Sequence, residues 1–325
     1  MLRFYNKGVF FDIFYDLANR RGMVEEMPAS DIMDKNLKSF MRRIYPLLFV
    51  FLWSTGFIGA RLGLPFSEPL SFLLVRYLCV IVLMMAIALP SRAPWPKNPG
   101  QWLHIGISGV LIHAVYLGGV FVSIKQGLPA GVAALVVGMQ PLLTAVGAGW
   151  LLGERVRVRQ WIGLVLGFLG VALVVSGKFG VGVELGPMLT PALVALLGMT
   201  IGTLYQKRFC AGFDLRTGSV IQFIPSAAVT AIAIALFTEF QITWTARFAF
   251  ALGWLVLVLS IGAISLLNLL IHSSSAVNVA SLFYLTPLST ALIAWFVFGE
   301  TLPFVSLAGM ALAVGGVYLV VKRAS

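Results

Sequence analysis

A long stretch of this sequence recurs 146 positions further along the chain without a gap. In its first copy, residues 131–175, two apolar segments flank a short arginine-rich loop that begins with Gly153 and Glu154. An internal repeat of this kind indicates two copies of one structural unit. The positions that match between the copies are Pro141 and Pro287, Thr144 and Thr290, Gly153 and Gly299, Glu154 and Glu300, Gly163 and Gly309, and Gly170 and Gly316.

Composition places the repeat in a lipid bilayer. The 325 residues are 59% hydrophobic and 11% charged, with a mean hydropathy of +0.96, whereas soluble domains have about 25% charged residues. The apolar runs are near the roughly 20 residues that a helix needs to cross the hydrocarbon. We therefore predict an all-α integral membrane fold with ten transmembrane helices. The predicted spans are 44–62, 69–89, 101–124, 130–152, 158–176, 188–208, 218–238, 249–272, 277–298 and 302–321.

The basic residues predict the orientation. The net charge of +11 is spread over short segments between the apolar runs, which is typical of a membrane protein and argues against a nucleic-acid-binding function. With the N-terminus inside, fourteen Lys and Arg residues lie on the inner side and four on the outer side. Cytoplasmic loops carry such an excess. We therefore expect both termini in the cytoplasm.

An odd number of helices in each repeat has a geometric consequence. The first helix of the first repeat starts inside, so its counterpart in the second repeat starts outside. The two five-helix repeats are therefore predicted to be inverted copies, related by a pseudo-two-fold axis in the membrane plane, as suits alternating access. The predicted domains are a cytoplasmic N-terminal extension, 1–43, a first repeat, 44–176, and a second repeat, 188–321.

The N-terminal extension differs from the rest of the chain. It holds half of the acidic residues and lacks both a spanning run and the continuous apolar core of a secretory signal. A poorly ordered cytoplasmic segment is the simpler interpretation. The alternative is a short helix on the membrane surface, formed around Phe4, Phe10, Phe11, Phe14 and Tyr15.

Two prolines interrupt the predicted helices near mid-span. Pro141 and Pro287 each lack the N–H that a helix interior requires, and each displaces the carbonyl four residues earlier. In lipid, such an interruption is tolerated where it faces protein or a water-filled cavity. Two interpretations remain open: the helices bend around a substrate, or they bend only for packing.

Polar and aromatic residues recur near mid-depth of several predicted helices. Polar groups away from water are costly unless paired, so they are expected to face the bundle interior. Together they would line a cavity for small amphipathic solutes, although each member alone is also compatible with a packing role. The candidates for substrate binding are Trp53, Thr55, Arg76, His113, Tyr116, Gln140, Tyr205, Trp254, Asn268 and Tyr284.

Two of these candidates carry sharper hypotheses. His113 lies close to the predicted midplane, and histidine titrates near neutral pH, so it is suited to binding substrate or carrying a coupling proton. Arg76 is the one permanently charged residue well inside a predicted span, and its counterpart at the 146 offset is Gln222. Arg76 serves anionic substrate groups or gating, or else it bonds backbone carbonyls. No Asp or Glu lies at mid-span, so we do not expect a carboxylate proton relay.

The duplicated ending and two further segments resemble a known family. The segments are LWSTGFIGARLGLPFSEPLSFLLVRY and HAVYLGGVFVSIKQGLPAGVAALVVGMQPLLTA. Together with the paired Pro, Gly-Glu and Gly positions they are similar to the drug/metabolite transporter superfamily, EamA-domain type, over residues 44–321. The resemblance implies two EamA repeats, a central cavity and a carrier in the plasma (inner) membrane. It also implies substrates such as amino acids, other small metabolites or drugs, often moved outward.

We therefore expect a permease that exports small organic metabolites, amino acids or drugs by alternating access, with membrane lipid around it and no nucleic-acid partner. The glycine-rich helices are also compatible with a homodimer. A passive channel is an alternative that a continuous open pore would favour. An intramembrane enzyme would need a nucleophile and base or a metal cluster at membrane depth. Cys79 and Cys210 form no CxxC motif or Cys/His cluster, so we expect no metal site, no cofactor and no enzyme.

Overall fold

The computed structural model describes residues 30–128, 133, 136–176, 186–210, 212–298 and 303–322. Within these ranges the regular secondary structure is helical, apart from one isolated antiparallel bridge between Ser67 and Ile242. The all-helical fold predicted from the sequence is therefore confirmed. The aromatic residues at positions 4–15, for which a surface helix is one interpretation, lie outside the described ranges.

The helices are numbered along the described residues. The start of α1, up to Leu47, belongs to a unit of its own, and Leu48–Ser325 form a second compact unit. The helices are α1 (Ser30–Gly63), α2 (Pro69–Ala88), α3 (Pro99–Lys125), α4 (Gln140–Leu151), α5 (Val158–Ser176), α6 (Gly186–Phe209), α7 (Leu215–Phe237), α8 (Ala246–Ser273), α9 (276–298) and α10 (Phe304–Val321).

The apolar surface of the helices is that of a protein embedded in lipid. Eight of the described helices are long and apolar enough to cross a membrane, and α5 carries a shorter apolar stretch, Val158–Val174. Large apolar side chains are exposed, including Trp150 at 89%, Phe296 at 83% and Phe304 at 83%. Such surfaces are unfavourable in water and stable against lipid tails. The chain is a multi-pass membrane protein.

Side-chain caps determine where four of the helices begin. The first N–H groups of a helix have no intrahelical partner, and an unpaired N–H is especially costly near lipid. At α3, α7, α8 and α9 a polar side chain accepts a hydrogen bond from one of these groups. The pairs are Asn98 with Gly100 N (2.8 Å), Asp214 with Arg216 N (2.9 Å), Thr245 with Phe248 N (3.1 Å) and Ser275 with Asn278 N (3.2 Å).

Helices α5 and α10, which the 146 offset relates, pack backbone to backbone. A Cβ atom at Gly163 would lie 2.6 Å from the carbonyl oxygen of Gly316, and one at Gly170 would lie 2.6 Å from that of Gly309. Only glycine leaves room for this approach. Because the earlier residue of α5 meets the later residue of α10, the two helices run antiparallel.

Helices α2 and α7, also related by the offset, are antiparallel as well. Tyr77 and Phe223 are equivalent positions, and their ring centroids are 5.5 Å apart. The Thr217 hydroxyl near the start of α7 donates to the carbonyl of Pro94, beyond the end of α2 (2.9 Å). Equivalent residues therefore meet in the buried interior, between helices of opposite direction.

The glycine contact predicts unequal effects for two neighbouring substitutions in α10. A Cβ at Gly316 would lie 2.5 Å from the Gly163 carbonyl oxygen, whereas one at Gly315 has nothing within 4 Å. We expect Gly316→Ala to lower the free energy of unfolding by about 1–3 kcal/mol through overpacking. Gly315→Ala should leave it unchanged or slightly higher, because Ala favours the helix. Thermal unfolding in detergent measures both, and equal melting temperatures would contradict the close contact.

Candidate functional site

A small aromatic chamber lies between α1, α3 and α9. The Trp53 ring stacks over Tyr116 with centroids 6.4 Å apart and meets Phe283 edge-on at 5.2 Å. The volume of the chamber is about 30 Å³. This is far too small for an organic solute in this conformation. Its lining residues are Trp53, Tyr116, Val120, Ala133, Val137, Gly138, Phe283, Thr286 and Pro287.

Breaks in two helices lie beside this chamber. α4 begins at Gln140, so Pro141 lies in its first turn. In α9 a 3-10 segment, Leu282–Tyr284, precedes a new α-helical segment that has Pro287 in its first turn. A proline at this place loses no intrahelical hydrogen bond, because the first N–H groups of a helix have no partner there. Both prolines thus follow an interruption and do not lie inside a continuous α-helix.

Arg76 carries a buried charge that is only partly hydrogen-bonded. Its side chain is 1% exposed, and its Nε donates to the Oγ of Ser260 on α8 at 2.9 Å. Neither Nη1 nor Nη2 has a hydrogen-bond partner in the described part of the chain. The guanidinium lies within electrostatic range of the Tyr77 and Tyr116 side chains. Tyr116 lines the aromatic chamber, so the charge of Arg76 acts on one wall of the chamber.

His113 is buried and packs against Tyr77, the residue that follows Arg76, with ring centroids 6.4 Å apart. Its ring stacks on Phe223 with centroids 4.2 Å apart, and its backbone carbonyl accepts a hydrogen bond from the Tyr77 hydroxyl at 2.8 Å. Neither ring nitrogen has a hydrogen-bond partner at normal distance among the described residues, and the Gln222 side chain and the Arg76 charge both act on the imidazole. The structure therefore places His113 one residue away from the arginine, across the Tyr77 contact.

Two π-helical segments hold residues of this site at related positions. They cover Val110–Val115 in α3, which contains His113, and Leu255–Ala263 in α8, which contains Ser260. The first segment, shifted by 146, falls inside the second. π-Helical turns widen the backbone and are frequent at functional sites. The helices α3 and α8 thus depart from regular α-helix at equivalent positions of the two repeats.

A ring of three buried amides, which we call the amide triad, joins α6, α7 and α8. Gln206 Nε2 donates to Asn268 Oδ1 (2.9 Å), Asn268 Nδ2 to Gln222 Oε1 (3.4 Å), and Gln222 Nε2 to Gln206 Oε1 (3.1 Å). Gln222 also donates to Ser108 on α3 (3.2 Å). Among the candidates, Asn268 was identified from the sequence; Gln206 and Gln222 were missed, although any amide inside an apolar run is a signal.

The other candidates lie in separate places. Trp254 is 37% exposed and donates to the Thr55 hydroxyl (3.1 Å). Tyr205 is half-buried and shares a 2.6 Å hydrogen bond with a ring nitrogen of His104. Neither of these two pairs lines the aromatic chamber, whose walls come from other residues.

Two candidates from the interrupted helices are fully buried. The Tyr284 ring packs on α5, where a Cβ at Gly167 would lie 2.5 Å from it, and its hydroxyl has no partner among the described residues. Gln140 donates to Thr144 one turn later (3.0 Å), and its Oε1 is without a partner in the same ranges. Gln140 thus leaves an acceptor, and Tyr284 a hydroxyl, unpaired in the interior.

The described residues contain no group of three or more His, Cys, Asp or Glu side chains that could hold a metal ion. The arrangement brings together one cation, one imidazole and an aromatic wall. Such a site is suited to binding a small solute through charge, hydrogen bonds and apolar contact.

Comparison with known proteins shows the family of the chain. The model of the EamA-like transporter family matches twice, at residues 43–176 and 187–322. The chain belongs to the EamA-like transporter family. It is a membrane transporter built from two copies of the family unit, as the sequence repeat predicts.

Relatives of this transporter carry consistent names. An uncharacterized transporter, YvbV, of Bacillus subtilis is 29% identical, with 83% of this chain and 88% of the relative covered. The uncharacterized inner membrane transporter YedA of Escherichia coli is also 29% identical, covering 83% and 87%. A probable amino-acid metabolite efflux pump of Salmonella typhimurium is 28% identical, covering 84% and 92%. One solved crystal structure shares the fold, with a TM-score of 0.70 at 21% identity, covering 86% and 95%.

The amide triad predicts a loss of stability when one member is truncated. Asn268→Ala leaves the Nε2 of Gln206 and the Oε1 of Gln222 without partners. We expect a loss of about 1–2 kcal/mol in the free energy of unfolding, the range found for interhelical hydrogen bonds in membranes. Ser273→Ala is the control, because this exposed hydroxyl bonds only the carbonyl of Leu269 in its own helix. The prediction is wrong if both variants unfold with the wild type in detergent.

Proposed function

We propose that this transporter exports small organic metabolites, amino acids or drugs by alternating access. In this proposal the fold consists of ten transmembrane helices in two inverted five-helix repeats, 44–176 and 188–321. The antiparallel contact of equivalent helices carries it, since Gly163 meets Gly316 and Gly170 meets Gly309. A two-fold axis in the membrane plane places equivalent helices antiparallel where they meet, and such repeats support alternating access.

Contacts between the loops support the same symmetry. The α1–α2 connection pairs with the α7–α8 connection, where the N–H of Thr243 donates to the carbonyl of Phe66 (2.7 Å). The repeat relates these two connections to α6–α7 and α2–α3. That second pair is also in contact, because Trp95 packs against a cluster that includes Phe213. The two-fold operation that exchanges the repeats therefore maps one loop contact onto the other.

The orientation proposed for the protein has both termini and the extension, 1–43, in the cytoplasm. The excess of fourteen basic residues over four on the inner side supports it. The plasma (inner) membrane is the proposed location, in line with the printed name of the Escherichia coli relative. Export is the proposed direction, in line with the printed name of the Salmonella typhimurium relative.

The proposed substrate site combines the aromatic chamber with Arg76 and His113. Its volume of about 30 Å³ is far below the roughly 300–1,000 Å³ of ligand pockets. A solute can bind there only after the helices around the chamber separate. A carrier that changes conformation has this property, whereas a passive channel would present a continuous opening.

Hydrogen bonds that we call the inner latch join the α4–α5 connection and α6 to the junction of α8 with α9. The Nζ of Lys207 donates to the carbonyls of Ile271 (2.7 Å) and Ser274 (2.6 Å). The Oε1 of Glu154 accepts from the backbone N–H of Ala276 (3.1 Å). In the proposed orientation all of these groups lie on the cytoplasmic side. The inner latch would therefore have to open when the site faces the cytoplasm.

Flux through proteoliposomes tests the proposed function. Purified protein is reconstituted and a panel of labelled amino acids, metabolites and cationic drugs is screened with and without a pH gradient. Saturable flux of one solute class above that of protein-free vesicles is the expected result. Folded, correctly inserted protein that moves no member of a broad panel would contradict the proposal, and flux that does not saturate would favour a channel.

The inner latch predicts faster backbone opening when Lys207 loses its ammonium group. Lys207→Met removes two charge-assisted hydrogen bonds to the end of α8. We expect amide hydrogens at residues 269–279 to exchange about tenfold faster, which corresponds to about 1.4 kcal/mol. Arg208→Met is the matched control, since its side chain is exposed. Hydrogen–deuterium exchange with mass spectrometry reads both variants, and equal rates would exclude the inner latch.

If the imidazole of His113 carries the coupling proton, the rate of transport depends on pH through this residue. The His113→Gln variant then transports at a rate that no longer changes over the pH range in which the wild-type rate changes. His104→Gln, which alters a half-buried histidine bonded to Tyr205, should keep the wild-type profile. Vesicle flux across this pH range is the measurement. A wild-type profile in a folded His113→Gln protein would remove the coupling role.

A further inference from the structure

Arg76 is a charged group without a counter-charge in the described interior. It is the only Lys, Arg, Asp or Glu side chain that is buried among the residues whose side chains are described. An ionised group taken out of water is stable only when it is paired and hydrogen-bonded. Arg76 has one such bond, from Nε to Ser260. Its two terminal nitrogens, which together carry four N–H donors, have no partner in the same ranges.

The described carboxylates are occupied elsewhere. Glu68 pairs with Lys125 at 2.9 Å, and Asp214 pairs with Arg216 at 2.8 Å. Glu154 bonds the backbone at the start of α9, and Glu239 is exposed beyond the end of α7. All of these residues lie at helix ends or in connections, so none supplies the missing negative charge inside the bundle.

The geometry of the free nitrogens selects the kind of group that would pair with them. Nη1 and Nη2 of a guanidinium present parallel N–H donors that match the two oxygens of a carboxylate. These donors remain available to a ligand, because among the described residues only Nε of Arg76 is hydrogen-bonded, to Ser260. A carboxylate carries a single negative charge and would neutralise Arg76. A phosphate dianion would leave an uncompensated charge in the low-dielectric interior, because no second buried cation is found among the described residues.

We propose that Arg76, positioned by Ser260, binds the carboxylate of the transported solute, and that the apolar part of the solute occupies the opened aromatic chamber. The charge of Arg76 acts on Tyr116, which lines the chamber. The substrate class is thus small organic monocarboxylates with an apolar body. This inference rests on the proposed transport function.

The π-helical turns supply the freedom that such a site needs. Ser260 lies in Leu255–Ala263, and His113, which packs against Tyr77, lies in Val110–Val115. A π-helical turn that returns to α-helix shifts the following residues along the helix. Movement of the segment that contains Ser260 would move the wall of the site relative to the guanidinium and make room for a solute that the small chamber excludes.

Binding of matched acid and amide pairs tests the proposal on the full-length protein. The probes are benzoate and benzamide, 3-phenylpropionate and 3-phenylpropionamide, and L-leucine and L-leucinamide. Binding is followed by tryptophan fluorescence and by thermal stabilisation in detergent, and the acids are then tested for flux in proteoliposomes. We expect the wild type to bind at least one acid about 10- to 100-fold more tightly than its amide, the ratio expected for charge-assisted hydrogen bonds.

Substitutions assign this selectivity to the guanidinium. Arg76→Gln should bind the acid and the amide equally, with the loss confined to the acid. Arg76→Lys keeps the charge without the fork and should retain part of the selectivity. Ser260→Ala, which frees Nε, should weaken the acid and leave the amide unchanged. Arg247→Gln is the matched control, because Arg247 is exposed, and it should keep the wild-type ratio.

Three results would overturn the inference. In the first, the wild type binds and moves neutral members of the panel but prefers no acid to its amide. This result is obtained without any variant. Folded Arg76→Gln loses acid and amide binding to the same extent, which indicates a structural role. Sodium chloride alone stabilises the wild type but not Arg76→Gln, and no acid competes with chloride. In the first case the transport function stands; absence of flux for every solute would instead remove the function on which the inference rests.

Discussion

The absence of water from the bilayer core is the constraint on which this structure depends. Backbone groups there must pair within their own segment, and the described regular structure is accordingly helical. Polar side chains follow the same rule, since Ser54, Thr200 and Thr203 donate to carbonyls of the preceding turn. The amide triad closes on itself for the same reason. Several buried groups nevertheless lack a partner among the described residues, and the two terminal nitrogens of Arg76 are the ones that belong to a buried charge. The carboxylate that we propose as ligand would compensate this charge.

The two repeats share glycines at one helix contact and differ at buried polar positions of the candidate site. Gly163 and Gly170 correspond to Gly309 and Gly316, and these four residues form one helix contact. Arg76 corresponds to Gln222, yet Arg76 has free donors and Gln222 is held in the amide triad. The partners of Gln222 in the triad, Gln206 and Asn268, correspond to Ala60 and Val122 in the first repeat. One half therefore provides a closed ring of amide hydrogen bonds, and the other half provides a cation whose terminal nitrogens have no partner among the described residues.

The sequence predicted several features of the fold well. Apolar runs near the thickness of a bilayer located the helices, because hydrophobic length is a local property of the chain. The family and its two copies followed from a gapless repeat that includes Pro141 and Pro287. The candidate site was predicted less completely. Residue type at mid-span selected Trp53 and Tyr116, which line the aromatic chamber, and the buried Arg76 and His113. It also selected Tyr205 and Trp254, whose partners lie away from the aromatic chamber.

What the sequence by itself determined was the membrane class, the helical segments, the duplication and the identity of the polar residues inside apolar runs. Each of these depends on neighbours within one segment or on a comparison of the chain with itself. Only the tertiary structure decided which polar groups are satisfied. Whether an amide such as Gln206 is bonded, or a guanidinium such as Arg76 is free, depends on side chains from other helices at distances of about 3 Å. Helical spacing gives the face of a residue, and packing alone gives its partner.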